Sequence, residues 1–267
     1  MNIGKYVQLY SEDLRLKNYS KSTIENYKSQ VKCFLEYFNK DVTKPSEISE
    51  EKIKEWLLLS TSINGRKHRI SAIKLFYKLT SKQPLKFKHI EYPKAEKKLP
   101  QVIDKDFLVS KINDIKNLKH KSIIALAFST GMRVSEVCNL RISDIDSKRM
   151  LIHIKNAKGR KDRFVPLSDY ILNLLRNYYR EYKPVEFLFN GQFEPKYSHR
   201  SCNQIVKKYI GKDFHFHLLR HSSFTSLLES GTDISIIQKI AGHSNVKTTQ
   251  IYTHISNQLL QKVKTPL

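Results

Sequence analysis

What most constrains the fold of this chain is an interruption. From Gln83 to Pro100 the hydrophobic periodicity found on either side dissolves, and Pro84, Pro93 and Pro100 punctuate a stretch rich in lysine (Lys82, Lys86, Lys88, Lys94, Lys97, Lys98). Proline fixes φ and removes a backbone donor, so neither a helix interior nor an inner strand runs through such a segment. A chain of 267 residues broken there folds as two modest domains rather than around one core. The expected division is a first domain over 1–90, a basic linker over 91–101 and a second domain over 102–267.

The first part reads as helix only. Between Ser22 and Phe38, the residues Ile24, Tyr27, Val31, Phe34, Leu35 and Phe38 form one stripe at helical spacing, and Ser22 with Glu25 has capping-box spacing at its start. Further helices are expected at about 50–59 and 66–79. The latter turns Ile70, Ile73, Phe76 and Tyr77 inward and leaves Arg66, Lys67, Arg69, Lys74 and Lys78 mostly outward, as solvated charges or as phosphate contacts. In the second part, helices are expected at about 104–115, 119–129, 133–140, 168–180, 198–210, 216–229, 233–241 and 245–252. A strand pair at 150–154 and 163–166 interrupts them, around a turn at 155–162 in which Gly159 suits a positive φ. The fold class is therefore mainly α: a helical N-terminal domain and a mostly helical α+β domain with a small antiparallel sheet. Beyond 252, Ile255, Leu259, Leu260 and Val263 recur at helical spacing, a stripe too short to stand alone that must dock on a neighbour or on its own domain.

Charge decides the class of partner. Lys+Arg number 48 against 25 Asp+Glu, a net +23 with a pI near 9.8, and the excess runs along both halves of the chain. Such a field attracts polyanions, and its dispersal through folded-looking segments points to nucleic acid ahead of a solubilising surface or an anionic membrane. The start, Met1-Asn2-Ile3-Gly4-Lys5, lacks the apolar run of a signal peptide, and no apolar run approaches a membrane span. Cys33, Cys138 and Cys202 are odd in number and far apart, which fits core packing in a reducing compartment better than a disulfide or a metal site. The expected location is the cytoplasm, in association with the nucleoid.

Three clusters carry chemistry: Thr130-Gly131-Met132-Arg133-Val134-Ser135-Glu136, then His217-Leu218-Leu219-Arg220-His221, then Ala241-Gly242-His243-Ser244 followed by Tyr252. Singly, each has a plain explanation. Arg133 could pair with Glu136, His217 could be a hydrogen-bonded core histidine, Lys158 a solvated turn residue, and Tyr252 one of fourteen packing tyrosines. Taken together they offer arginine forks for phosphate oxygens, imidazoles that hold or move a proton, and a phenol able to act as nucleophile. His217 and Arg220 stand three apart on one helix and can face one spot. Gly231 and Asp233 mark a helix end and the next start, and Gly242 places His243 at a turn. The set reads as phosphoryl transfer through a tyrosine on a nucleic acid.

In order and spacing these segments, with the lysine-glycine turn between the strands and Thr248-Thr249-Gln250-Ile251-Tyr252-Thr253-His254, resemble the tyrosine recombinase (phage integrase/Xer) family along the whole chain. The helical first part resembles that family's core-binding domain. The resemblance implies that Arg133 and Arg220 clamp the scissile phosphate, Lys158 protonates the leaving 5′ oxygen, His217 helps take the tyrosine proton, His243 hydrogen-bonds the phosphate, Tyr252 forms a 3′-phosphotyrosine link and Glu136 buttresses the site. It further implies duplex DNA with inverted-repeat core sites as partner, a monomer in free solution, a homo-tetramer on synapsed DNA, strand exchange through a Holliday junction, and no cofactor or metal. Arg160 and Lys161, beside Lys158, join the basic helix face as expected DNA contacts. The chain departs from the family pattern in His221-Ser222-Ser223-Phe224-Thr225, where the aromatic usually stands one position earlier, and in Ala241, where leucine is common. The rival readings are type IB topoisomerase-like DNA relaxation and a catalytically idle DNA-binding protein of the same fold.

Overall fold

The computed structural model describes residues 1–94, 101–155, 162–243 and 245–252, with the backbone alone for Lys247. The chain divides into two compact units, Met1–Lys97 and Lys98–Leu267.

In the first unit α1 (Ile3–Leu16), α2 (Lys21–Tyr37), α3 (Glu50–Leu58) and α4 (Ile63–Leu79) each begin at a side-chain cap: Asn2, Ser20, Ser49 and Ser62 accept from the backbone N–H three residues on. Such caps satisfy donors that the first helical turn leaves open. They also account for two shifted boundaries. Ser20 rather than Ser22 starts α2, its Oγ taking the Thr23 N–H at 3.2 Å. Ser62 starts α4 ahead of the expected Arg66 by taking the Gly65 N–H at 2.9 Å. The stripe of α2 and the inward residues of α4 bury a common core with Tyr10, Leu14 and Trp56. Two core tyrosines satisfy their hydroxyls on distant carbonyls, Tyr10 on Ala72 and Tyr77 on Pro45. The start of the interruption belongs to this core. A 3-10 turn at Pro84–Phe87 brings Phe87 and then Ile90 under cover, so the break in periodicity reflects a compact turn before it becomes a linker.

The second unit is built on α6 (Leu118–Thr130), buried from Ser122 through Ala127 and flanked by α5 (Lys105–Asn113), α8 (Asp169–Tyr182), α9 (His199–Tyr209) and α10 (Phe216–Glu229). α7 (Val134–Asn139) follows α6 directly, and α11 (Ile234–Ala241) and α12 (Lys247–Gln250) close the described chain. The sheet is antiparallel in the order β1 (Ile145–Asp146), β2 (Leu151–Ile154), β3 (Arg163–Pro166). Its register sets Ile152 opposite Val165 and Ile154 opposite Arg163, with Ile152, Ile154 and Val165 in the core. β1, two residues long, shows no alternation by which sequence could reveal it, and α12 is a single turn where a longer helix was expected. Cys138 and Cys202, remote in sequence, meet in this core with their sulfurs 3.5 Å apart as free thiols. Among the described residues no helix is long and apolar enough to cross a membrane. The turn residues Lys158, Gly159, Arg160 and Lys161, and the apolar stripe beyond Tyr252, lie outside the described residues.

Candidate active site

The site is assembled where two helices end. Gly131 terminates α6 at φ 63°, a left-handed conformation that favours glycine, and a Cβ there would overlap the ring of Phe224. Gly242 terminates α11 in the same way at φ 63°. Carbonyls at helix C-termini lack intrahelical partners and sit at the negative end of the helix dipole. Arg220, 2 % exposed in the second turn of α10, uses both ends: Nη1 donates to the Gly131 carbonyl at 2.6 Å and Nη2 to the Ala241 carbonyl at 2.7 Å. Nη2 also lies 3.0 Å from His243 Nε2. Burial, then the charge of Arg133, lowers the Arg220 pKa to about 9, which leaves it cationic at neutral pH.

An arginine nitrogen only donates, so His243 accepts at Nε2 and carries its proton on Nδ1, which faces Thr249 Oγ1 at 3.0 Å. Burial, then Arg220, Arg133, Arg163 and His217, lowers its pKa to about 4, so the ring is neutral at pH 7.

Arg133 caps α7. Its backbone N–H donates to Glu136 Oε2 at 2.7 Å and its Nη1 to Oε1 at 2.9 Å. Arg163, which opens β3, grips the same carboxylate with both terminal nitrogens at 2.8 Å and donates from Nε to the Ile240 carbonyl at 2.7 Å. One buried carboxylate thus joins α7, β3 and the end of α11. Burial pushes the Glu136 pKa up, but the hydrogen bonds and charge of Arg163, and those of Arg133, outweigh it and bring it to about 2.

Tyr252, 2 % exposed, packs edge-on against Phe224 with centroids 5.5 Å apart, and the Arg220 guanidinium lies over that same ring at 4.7 Å. Burial raises the phenol pKa, with Arg220 and Arg133 opposing it. Its hydroxyl lies 3.2 Å from His221 Nδ1. His217 stands exposed on α10, its ring 4.5 Å from that of His221 and perpendicular to it. Burial, then His217, Arg220 and His215, lowers the His221 pKa to about 4.

Arg133, Glu136, His217, Arg220, His243 and Tyr252 therefore converge, while Lys158 lies outside the described residues. Of the basic face on α4, in the other unit, Lys74 and Lys78 are exposed and Lys67 is half-buried. Arg66 donates to the Ser60 carbonyl, and Arg69 donates to that of Trp56 while covering its ring at 4.4 Å. Sequence reasoning missed Arg163, His221, Phe224 and Thr249. His221 carried a signal, since it stands four residues from His217 on one helix face. Arg163 carried none, because a strand-opening arginine beside a basic turn looks like one more surface charge.

The arrangement gathers two cations and two neutral imidazoles around a buried phenol, a set suited to neutralising a phosphate while an aryl oxygen attacks it. The phage integrase family model matches residues 101–258, and the model of the phage integrase N-terminal SAM-like domain matches residues 7–87. The chain is 32% identical to a tyrosine recombinase of Thermosipho africanus over 96% of its own length and 97% of the relative's. It is 30% identical to the tyrosine recombinase XerC of Bacillus subtilis, covering 97% of this chain and 95% of that one. Among solved structures it is similar to XerA recombinase at TM-score 0.56, with 30% identity over 98% of this chain and 97% of that one. It is also similar to the XerH recombinase bound to its difH substrate before cleavage, at TM-score 0.70 and 26% identity, over 90% of this chain and 78% of that one. With both units matched in order and its relatives spanned nearly end to end, the chain belongs to the phage integrase family and is a tyrosine recombinase.

Proposed function

We propose that the chain cuts and rejoins duplex DNA at a specific site by transesterification through Tyr252. The observation that carries this reading is the packing of the Tyr252 phenol and the buried Arg220 guanidinium on one ring, Phe224, with His243 bonded to that guanidinium. The phenol oxygen forms a bond to the scissile phosphorus, the bond to the 5′ oxygen breaks, and the leaving oxygen takes a proton from Lys158. Arg220 and Arg133 neutralise the non-bridging oxygens, where negative charge gathers in the transition state. His243 hydrogen-bonds the phosphate by changing tautomer, its proton moving from Nδ1 to Nε2 once the phosphate engages Arg220, and His217 assists removal of the tyrosine proton. Glu136 fixes the direction of Arg133 from behind. Because the phosphotyrosine conserves the energy of the phosphodiester, a second 5′ hydroxyl reseals the strand without a cofactor.

The partner is duplex DNA carrying inverted-repeat core sites, bound by two protomers per site and four per synapse, with a monomer in free solution and exchange through a Holliday junction. Residues 1–90 with the basic linker close on the duplex as a clamp, using Lys67, Lys74, Lys78, Arg66 and Arg69, while Arg160 and Lys161 contact phosphates beside Lys158. The workplace is the cytoplasm, at the nucleoid. The test uses a supercoiled plasmid carrying two copies of an inverted repeat taken from the DNA beside the coding region. Site-dependent deletion or inversion products are expected. Relaxation of a plasmid with no such repeat would instead mark a topoisomerase, and binding without covalent capture an idle protein.

A further inference from the structure

Resting on that reading, we infer that His221 is the residue that takes the proton directly from Tyr252 as it attacks. A general base must lie within hydrogen-bond reach of the proton it removes. Among the described residues, the group within that reach of the Tyr252 hydroxyl is His221 Nδ1, at 3.2 Å. The transfer requires one tautomer: the phenol donates to a ring nitrogen that bears a lone pair, so Nδ1 must be bare and Nε2 must carry the hydrogen. The groups facing His221 are Tyr252 from the segment after α12, His217 and Arg220 on its own helix, and His215 at that helix's start. Burial, then His217, Arg220 and His215, keeps the imidazole neutral near pH 7, so that it has a lone pair with which to accept. Burial raises the pKa of the phenol itself, and Arg220 and Arg133 oppose that rise, which is why its proton needs a positioned acceptor.

The step balances. The Tyr252 oxygen bonds to phosphorus, its proton passes to His221 Nδ1, and the 5′ oxygen leaves with a proton from Lys158. Resealing runs in reverse, with His221 returning the proton to the tyrosine as it leaves. His217, perpendicular to His221 at 4.5 Å and exposed, is the next imidazole outward, and so assists through His221 rather than by touching the phenol.

The test compares His221→Asn and His221→Gln with the parent, in the full-length chain, by covalent capture on a nicked duplex bearing the site. Asparagine retains an acceptor near the position of Nδ1 but takes no proton, so a residue needed only to hold the tyrosine in place would be rescued by it. Single-turnover capture by His221→Asn should fall about 100-fold at neutral pH with DNA affinity unchanged. The deficit should close as pH rises, and it should shrink when a ring-fluorinated tyrosine, a more acidic phenol, replaces Tyr252. His217→Asn should show a smaller deficit. Capture by His221→Asn within threefold of the parent would overturn the assignment. So would a deficit in both variants that ignores pH and the fluorinated phenol, or a pH-dependent deficit that belongs to His217→Asn instead. If the parent itself captures no DNA, the recombinase reading falls together with this one, a pattern distinct from a parent that captures and variants that match it.

Discussion

Glu136 stands in the second unit between two arginines, and its chemistry predicts how that unit meets acid. Its pKa of about 2 in the fold lies below its ordinary value of 4.5, so its contribution to stability is fully present above pH 4.5 and is lost as pH falls toward 2. The shift corresponds to about 3 kcal/mol. Glu136→Gln should therefore lower the urea midpoint at pH 7 and flatten its dependence on pH below 5, whereas the parent weakens steeply there. An unchanged midpoint at pH 7 would show that the two arginines do not need the carboxylate. At this scale much of the site was legible. Arg133 with Glu136, and His217 with Arg220, stand three residues apart on helices, a spacing that sequence displays directly. Arg163 and Thr249 were not legible, because each reaches its partner through the return of a strand or a turn that no local period encodes.

Helix ends, together with one stretch of α10, place the candidate reacting groups. Arg220 is buried at the cost of desolvating a cation, offset by carbonyls that α6 and α11 expose where Gly131 and Gly242 stop them. Gly131→Ala would force a non-glycine residue into φ 63° and push the new methyl into Phe224, the ring shared by Arg220 and Tyr252. A loss of about 2 kcal/mol or more is expected by urea titration, with cleavage falling further than DNA binding. Equal losses in both would show that the ring does not align the two groups. The helices themselves could be read from their apolar stripes, and most of their boundaries from Ser, Asn, Asp and Gly. The start of α2 was misplaced because two serines, Ser20 and Ser22, stand near it and Ser20 is the one that caps, and that of α4 because its cap, Ser62, lies one turn ahead of the apolar stripe. The two residues of β1 are too few to carry an alternation, and α1 went unremarked beside the stronger stripe of α2.

Across the whole molecule, the net charge of +23 is spread over two units that each carry a core of their own. If both hold the duplex, the affinity of the full chain should fall with salt more steeply than that of residues 98–267 alone, by roughly 0.9 in log–log slope for each phosphate contact the first unit adds. Equal slopes would reject the clamp. The charge that sequence displays so plainly names the class of partner but not which lysines touch it. Arg66 and Arg69 looked as available as Lys74, yet each gives one guanidinium nitrogen to a carbonyl of its own unit and has only the others for phosphate. The claim on which everything else depends is that Tyr252 becomes covalently joined to DNA. The most direct measurement incubates the full chain in EDTA with a nicked suicide duplex carrying the site, denatures in SDS, and maps the peptide that retains the DNA. The account predicts a complex that survives SDS, is destroyed by protease and carries its DNA on Tyr252, while Tyr252→Phe binds the same duplex and captures none. Capture by the Phe variant, or DNA mapped to another residue, would contradict it.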